Sequence, residues 1–205
     1  MAVRARRHLA GVLSADVVGY LRLIGQDEEG TLAALRKLRG EVLEPAVAEH
    51  DGAIVKRMGD GWLVEFVSVV DAVKCAIAIQ EGQSALVLRI GIHSGDVVHD
   101  DEDIYGDGVN IASRLQELAP SGGIALSETA RRSLDAKLSG NFTDGGAREL
   151  KNIAEPVRVF LWGDRETNPR PSPASRLATQ VGPVSRCAPS PSSVTPRNTR
   201  IWPVP

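Results

Sequence analysis

A glycine-flanked aspartate between two β-prone runs constrains this chain more than any other feature. The runs are Ala53-Ile54-Val55 and Trp62-Leu63-Val64-Glu65-Phe66, joined by Lys56-Arg57-Met58-Gly59-Asp60-Gly61. Glycine and aspartate tolerate the positive φ angles of a tight turn, so the spacing predicts a β-hairpin with Asp60 at its exposed tip. An aspartate in such a place is ordinarily a turn residue held by local hydrogen bonds. A second carboxylate alters that reading. The run Leu9 to Ala15 is short, apolar and uncharged, which predicts a buried strand delivering Asp16 at its end. A buried charge without a partner is costly, so Asp16 needs a cation. If that strand lies beside the hairpin, Asp16 and Asp60 converge at one sheet edge and make a seat for Mg²⁺ or Mn²⁺, hard ions that take oxygen ligands and leave positions open for substrate phosphates.

The rest of the chain supports one cored domain with an appendage. Its 205 residues are 42% hydrophobic and 24% charged, the composition of a soluble globular protein. A net charge of −2 gives no basis for nucleic-acid binding. Cys75 and Cys187 are far apart and form no disulfide framework, which points to a reducing compartment. Arg4, Arg6 and Arg7 before an apolar run imitate a secretory leader, but cleavage after Ala15 would remove the strand that presents Asp16. No segment approaches the roughly 20 apolar residues of a membrane span, so a cytoplasmic protein is expected. From Asp164 onward the composition changes: nine of the 12 prolines fall there, with six arginines against two acids and no hydrophobic periodicity. The reading is therefore a folded domain over 1–163 and a disordered Pro/Ser/Arg-rich tail over 164–205.

Within the domain, Val17 to Gln26 reads as a turn with a short helical piece. A long helix opens at Asp27 and runs toward Asp51, with Leu32, Leu35, Leu38, Val42, Leu43 and Val47 at helical spacing and Pro45 interrupting it near its end. A helix over 68–80 follows the hairpin, then a strand from Ala85 to Ile92. His93-Ser94-Gly95 is read as a turn into a short strand ending at His99, and Asp100, Asp101 and Glu102 as an acidic loop. A helix from Gly108 to Leu118 puts Asn110 and Arg114 one turn apart on one face. The strand Ile124 to Leu126, a helix from Glu128 to Leu138 capped by Ser127, and strands over 142–150 and 157–162 complete the domain. His93, Asp96 and His99 lie around the expected turn without ligand geometry and are not read as a metal trio.

Four stretches, in order, carry a resemblance: Leu13-Ser14-Ala15-Asp16-Val17-Val18-Gly19-Tyr20; Val55 to Gly61; Ile90-Gly91-Ile92-His93-Ser94-Gly95-Asp96-Val97; and Asp103 to Leu115. Together they resemble the catalytic domain of the class III nucleotidyl cyclases, the bacterial adenylate cyclase type in particular, over residues 8–162. The resemblance implies an α+β fold of ferredoxin-like (βαββαβ) type, a mainly antiparallel sheet with packed helices. It implies conversion of ATP to 3′,5′-cyclic AMP and pyrophosphate with two Mg²⁺ or Mn²⁺ ions per site, held by Asp16, Asp60 and the backbone carbonyl of Val17. Lys56 and Asp103 take the places of the purine-reading pair: a lysine can donate to adenine N1 and an aspartate can accept from the exocyclic amine, a polarity that guanine inverts. Asn110 would orient the ribose and Arg114 would meet charge developing on the α-phosphate. The family pairs head to tail, each site drawing its metal aspartates from one chain and Lys56, Asp103, Asn110 and Arg114 from the other, so a homodimer with shared active sites is expected. One departure stands out. Ile153 occupies the place where many relatives carry a second phosphate-binding lysine, with Lys151 nearby. A catalytically silent nucleotide-binding or dimerisation module, and a guanylate cyclase, are the alternative readings.

Overall fold

A computed structural model describes residues 6–82, 84–100 and 103–163, and of Arg6, His99, Asp100 and Asp103 the backbone alone. All belong to the first of the chain's two units, Met1–Arg170. The tail read from Asp164, with Cys187, and the acidic residues Asp101 and Glu102 lie outside the described residues.

The expected hairpin is present. Strands β2 (Gly52–Met58) and β3 (Gly61–Phe66) are antiparallel and joined by Gly59 and Asp60. Gly59 has φ 68 and Asp60 does not share the positive φ, so the glycine alone takes the left-handed position that the tight turn requires. Strand β1 (Arg6–Val17) lies between β3 and the long β4 (Leu88–Asp100), antiparallel to both. The remaining strands are β5 (Asp103–Tyr105), β6 (Ile124–Ser127), β7 (Thr143–Arg148) and β8 (Val157–Trp162). The sheet order is β2-β3-β1-β4-β6-β8-β7, with β5 paired to the outer part of β4. Among the described residues only β4 and β6 are parallel, as the intervening helical crossover requires. The α+β architecture with a mainly antiparallel sheet is thus as expected.

Helices cover both faces. The first is α1 (Tyr20–Gln26); α2 (Glu28–Leu38) follows, capped by Asp27, whose carboxylate accepts the Gly30 N–H at 2.9 Å. The single helix read toward Asp51 is instead α2, a π-helical turn at Arg39–Leu43, and α3 (Glu44–Glu49). Pro45 sits in the first turn of α3, where its missing N–H removes no bond, and the wider turn before it accommodates the ring. Helix α4 (Val69–Glu81) is capped by Ser68 and packs, with α2 and α3, on the odd-numbered side chains of β1. That core holds Leu13, Ala15, Val17, Trp62, Phe66, Ile90 and Ile92, the valine, leucine, isoleucine and phenylalanine side chains each contributing about 1.5–3 kcal/mol if fully buried. Helix α5 (Asp107–Leu118) covers the other face, where Ala112 meets Ala10, Val12, Leu63 and Val97.

Two local expectations are corrected. His93-Ser94-Gly95 is not a turn: β4 runs straight through it, because β1 pairs with it continuously from Val17↔Leu88 to Arg6↔His99. The helix read from Glu128 to Leu138 is broken into α6 (Glu128–Arg132) and α7 (Ala136–Ser139), since the Asp135 carboxylate caps a new start by accepting the Leu138 N–H at 2.7 Å. No helix among the described residues is long and apolar enough to cross a membrane.

Candidate functional site

The site begins where β1 ends. In register, Asp16 stands opposite Gly61 of β3 on one side and Arg89 of β4 on the other. The hairpin turn folds over this end, and the Val17 N–H donates to the Asp60 carbonyl at 3.2 Å, which holds the turn against the strand terminus. Asp60 is consequently half-buried rather than fully exposed at a loop tip. The two carboxyl groups come within hydrogen-bonding reach of each other. Burial first, then the Asp60 charge and a hydrogen bond with Asp60, push the Asp16 carboxyl up to about 6, against the opposing pull of the Val17 N–H and the Arg89 guanidinium. Two like charges held together at a half-buried edge are the arrangement that a divalent cation relieves. Among the described residues no cluster of three or more His, Cys, Asp or Glu forms, so further donors would be backbone carbonyls such as that of Val17, water and substrate phosphates.

Arg89 was not singled out by the sequence. It stands in an otherwise aliphatic strand segment, Leu88 to Ile92, and an arginine in such a run is the signal that could have revealed it. Its Nε is buried and has no hydrogen-bond partner, while its charge acts on Asp16. An orphaned guanidinium nitrogen beside two carboxylates is a ready donor for an anionic group.

Of the other candidates, Lys56 pairs with Leu63 on the sheet face that α5, carrying Asn110 and Arg114, covers. Lys56 is exposed on the edge strand β2, opposite Leu63, after an irregularity in register between Ile54 and Lys56. Asp103 opens β5, paired with Asp100; its side chain lies outside what the structure describes. Asn110 is exposed and Arg114 partly so, on the side of α5 away from the buried Gly108, Ala112 and Leu115, and Arg114 forms an ion pair with Glu117. The structure brings Asp16 and Asp60 together but does not bring Asn110 to them. The first turn of α5 rests on Gly95, six positions along β4 from Arg89, a distance of roughly 20 Å at about 3.3 Å per residue.

Beneath α5, His93 is buried. Its Nδ1 lies 2.8 Å from Ser127 Oγ and 3.3 Å from Thr129 Oγ1, and burial pushes the imidazole down to about 4. Asp96 is exposed, and the His99 side chain lies outside the described residues. Ile153 belongs to the β7–β8 loop, which with α5 and α6 lines a cavity of about 600 Å³.

The family model for the adenylate and guanylate cyclase catalytic domain matches residues 67–163. A protein of Rhizobium meliloti named "Putative adenylate cyclase 3" is 43% identical over 171 residues, 78% of this chain and 29% of that protein. An adenylate cyclase of Streptomyces coelicolor is 32% identical over 133 residues, 61% of this chain and 35% of its own length. The chain thus spans about a third or less of these two relatives. A crystal structure of an adenylate/guanylate cyclase/hydrolase from Silicibacter pomeroyi is 37% identical, with a TM-score of 0.71 over 78% of this chain and 98% of the other. With the sheet, the paired carboxylates and these likenesses together, the chain belongs to the adenylate and guanylate cyclase catalytic domain family, the class III nucleotidyl cyclases.

Proposed function

We propose that this protein is an adenylate cyclase, forming 3′,5′-cyclic AMP and pyrophosphate from ATP at sites shared between two copies of the chain. The carrying observation is the contact of Asp16 with Asp60; burial first, and then the Asp60 charge and hydrogen bond, raise the Asp16 carboxyl to about 6. A structural core has no need of two mutually repelling carboxylates at a strand end; a cation site does. These two, with the Val17 carbonyl, would hold the divalent ions. Bound there, the ions would make the ribose 3′ oxygen a better nucleophile and offset triphosphate charge.

The residues themselves do the positioning. Arg89, whose charge acts on Asp16, would supply its guanidinium to a triphosphate oxygen. It supplies a cation that Ile153 does not. Asn110 orients the ribose, and Arg114, released from Glu117, meets the charge that accumulates on the α-phosphate oxygens. Lys56 and Asp103 read adenine. The separation of roughly 20 Å between the Asp16 end of β1 and the first turn of α5, which ends at Asn110, supports a head-to-tail pair in which one copy contributes the carboxylates and its partner Asn110. Arg114 is assigned to the same partner by the family resemblance. Its substrate, ATP, fits a cytoplasmic setting.

The direct test is the purified chain with ATP or GTP and Mn²⁺ or Mg²⁺ at concentrations where it dimerises. Cyclic AMP from ATP is expected; cyclic GMP alone would make it a guanylate cyclase. Ile153 favours one second reading, a silent nucleotide-binding module, which ATP binding without turnover would establish.

A further inference from the structure

Helix α5 lies unusually close to β4, and the reason is in the alternate residues that β4 turns toward it. At Gly91 an added Cβ would lie 2.2 Å from both the Ala112 carbonyl oxygen and the Gln116 nitrogen, so no side chain fits beneath the second half of the helix. At Gly95 it would lie 3.3 Å from Gly108 Cα and 2.8 Å from His93 Nε2. Between these two glycines, His93 is the one side chain that β4 offers to the first turns of α5. Two clefts, of about 600 Å³ and about 380 Å³, are each lined by His93 and by Asp107 of the helix. Beside the ring, the N-terminal half of α5 is seated by Gly108 against the backbone of Gly95 and Asp96 and by Val109 and Ala112 in the small core with Val12 and Val97.

That ring is itself fixed. Nδ1 is bonded to Ser127 Oγ at 2.8 Å, and Ser127 Oγ also accepts the Ala130 N–H at 3.2 Å, so the histidine is tied to the junction of β6 and α6. Nε2 has no hydrogen-bond partner among the described residues. The bland alternative is a satisfied core histidine whose loss would lower stability and nothing else.

We propose that His93 is a positioning residue: anchored on Ser127, it sets where the N-terminal half of α5 sits on the sheet, and thereby where Asn110 and Arg114 meet the nucleotide. The catalytic half of this inference rests on the adenylate cyclase reading; the structural half does not. Displacing a helix that carries groups acting in the transition state lowers kcat more than it raises KM.

The experiment uses the full chain with His93→Leu, which keeps bulk but not the bond, and His93→Asn, which keeps a polar atom near the Nδ1 position. His93→Leu should lower kcat for ATP about tenfold or more with KM changed less than about twofold, and His93→Asn should recover most of it. Hydrogen exchange of residues 106–114 should quicken about tenfold in His93→Leu and return to normal in His93→Asn, with melting temperatures within a few degrees. If His93→Leu does not fold, Ser127→Ala combined with Thr129→Val removes both hydroxyl partners of Nδ1 and must quicken exchange in α5. Unchanged α5 exchange in His93→Leu or in that double variant, or equal losses in both His93 variants, overturns the proposal. A wild-type chain that makes no cyclic nucleotide would sink the cyclase reading instead, and the exchange data would still decide whether His93 seats α5.

Discussion

Replacing one of the two aspartates proposed to hold metal should stabilise this protein when no metal is present. The perturbation is Asp60→Asn. In the wild type, Asp16 holds its proton up to about pH 6, against an ordinary value of 3.8. A carboxyl whose folded-state pKa is raised binds its proton more tightly folded than unfolded, so its favourable contribution exists at acid pH and is lost as pH climbs from about 4 through 6. At about 1.4 kcal/mol per tenfold change in proton affinity, the loss is at most about 3 kcal/mol, and solvent screening of a half-buried group reduces it to about 1–2 kcal/mol. Burial is the first cause and persists in the variant, but Asp60 supplies the next two causes, its charge and its hydrogen bond. Asp60→Asn should therefore gain about 1 kcal/mol at pH 7.5 in EDTA, a rise of roughly 2–4 °C in melting temperature for a domain of this size, and the gain should vanish near pH 4. Adding Mn²⁺ should reverse the order. The wild type would gain about 2.7 kcal/mol at a hundredfold excess over its dissociation constant, and the variant little. Paired thermal melts at pH 4 and 7.5, with EDTA or Mn²⁺, test each part. A variant less stable than wild type at pH 7.5 without metal, or equal Mn²⁺ stabilisation of both proteins, would refute the reasoning.

Three further outcomes are expected. Mixing Asp60→Ala chains with Arg114→Ala chains, each inactive alone, should restore part of the cyclase activity; no recovery at any ratio would exclude shared sites. Gly91→Ala should lower stability by about 3 kcal/mol in urea titration, because backbone atoms of α5 stand 2.2 Å from the added carbon and cannot rotate away. Cys75 is fully buried and its thiol is pushed up to about 12, burial being the main cause, so it should resist a disulfide reagent at pH 8 in the native protein and react only on unfolding.

The local signals in this chain are strong where chemistry is local. Gly59 and Asp60 specify a tight hairpin because the backbone angles they allow are set by their own atoms, and Ser68, Asp27 and Ser127 mark helix starts because each cap bonds within three residues. The convergence of Asp16 with Asp60 was also legible, since a buried strand ending on a carboxylate demands a partner. What the residues could not disclose was set by register across strands. The long pairing of β1 with β4 turns His93-Ser94-Gly95 into strand rather than turn, and the same register brings Arg89 beside Asp16. Ser127 lies 34 residues from His93 along the chain, yet their hydrogen bond joins β4 to β6 under α5. Local propensity acts over a few residues, whereas these contacts depend on how distant strands slide past one another before they lock, and only the folded sheet decides that.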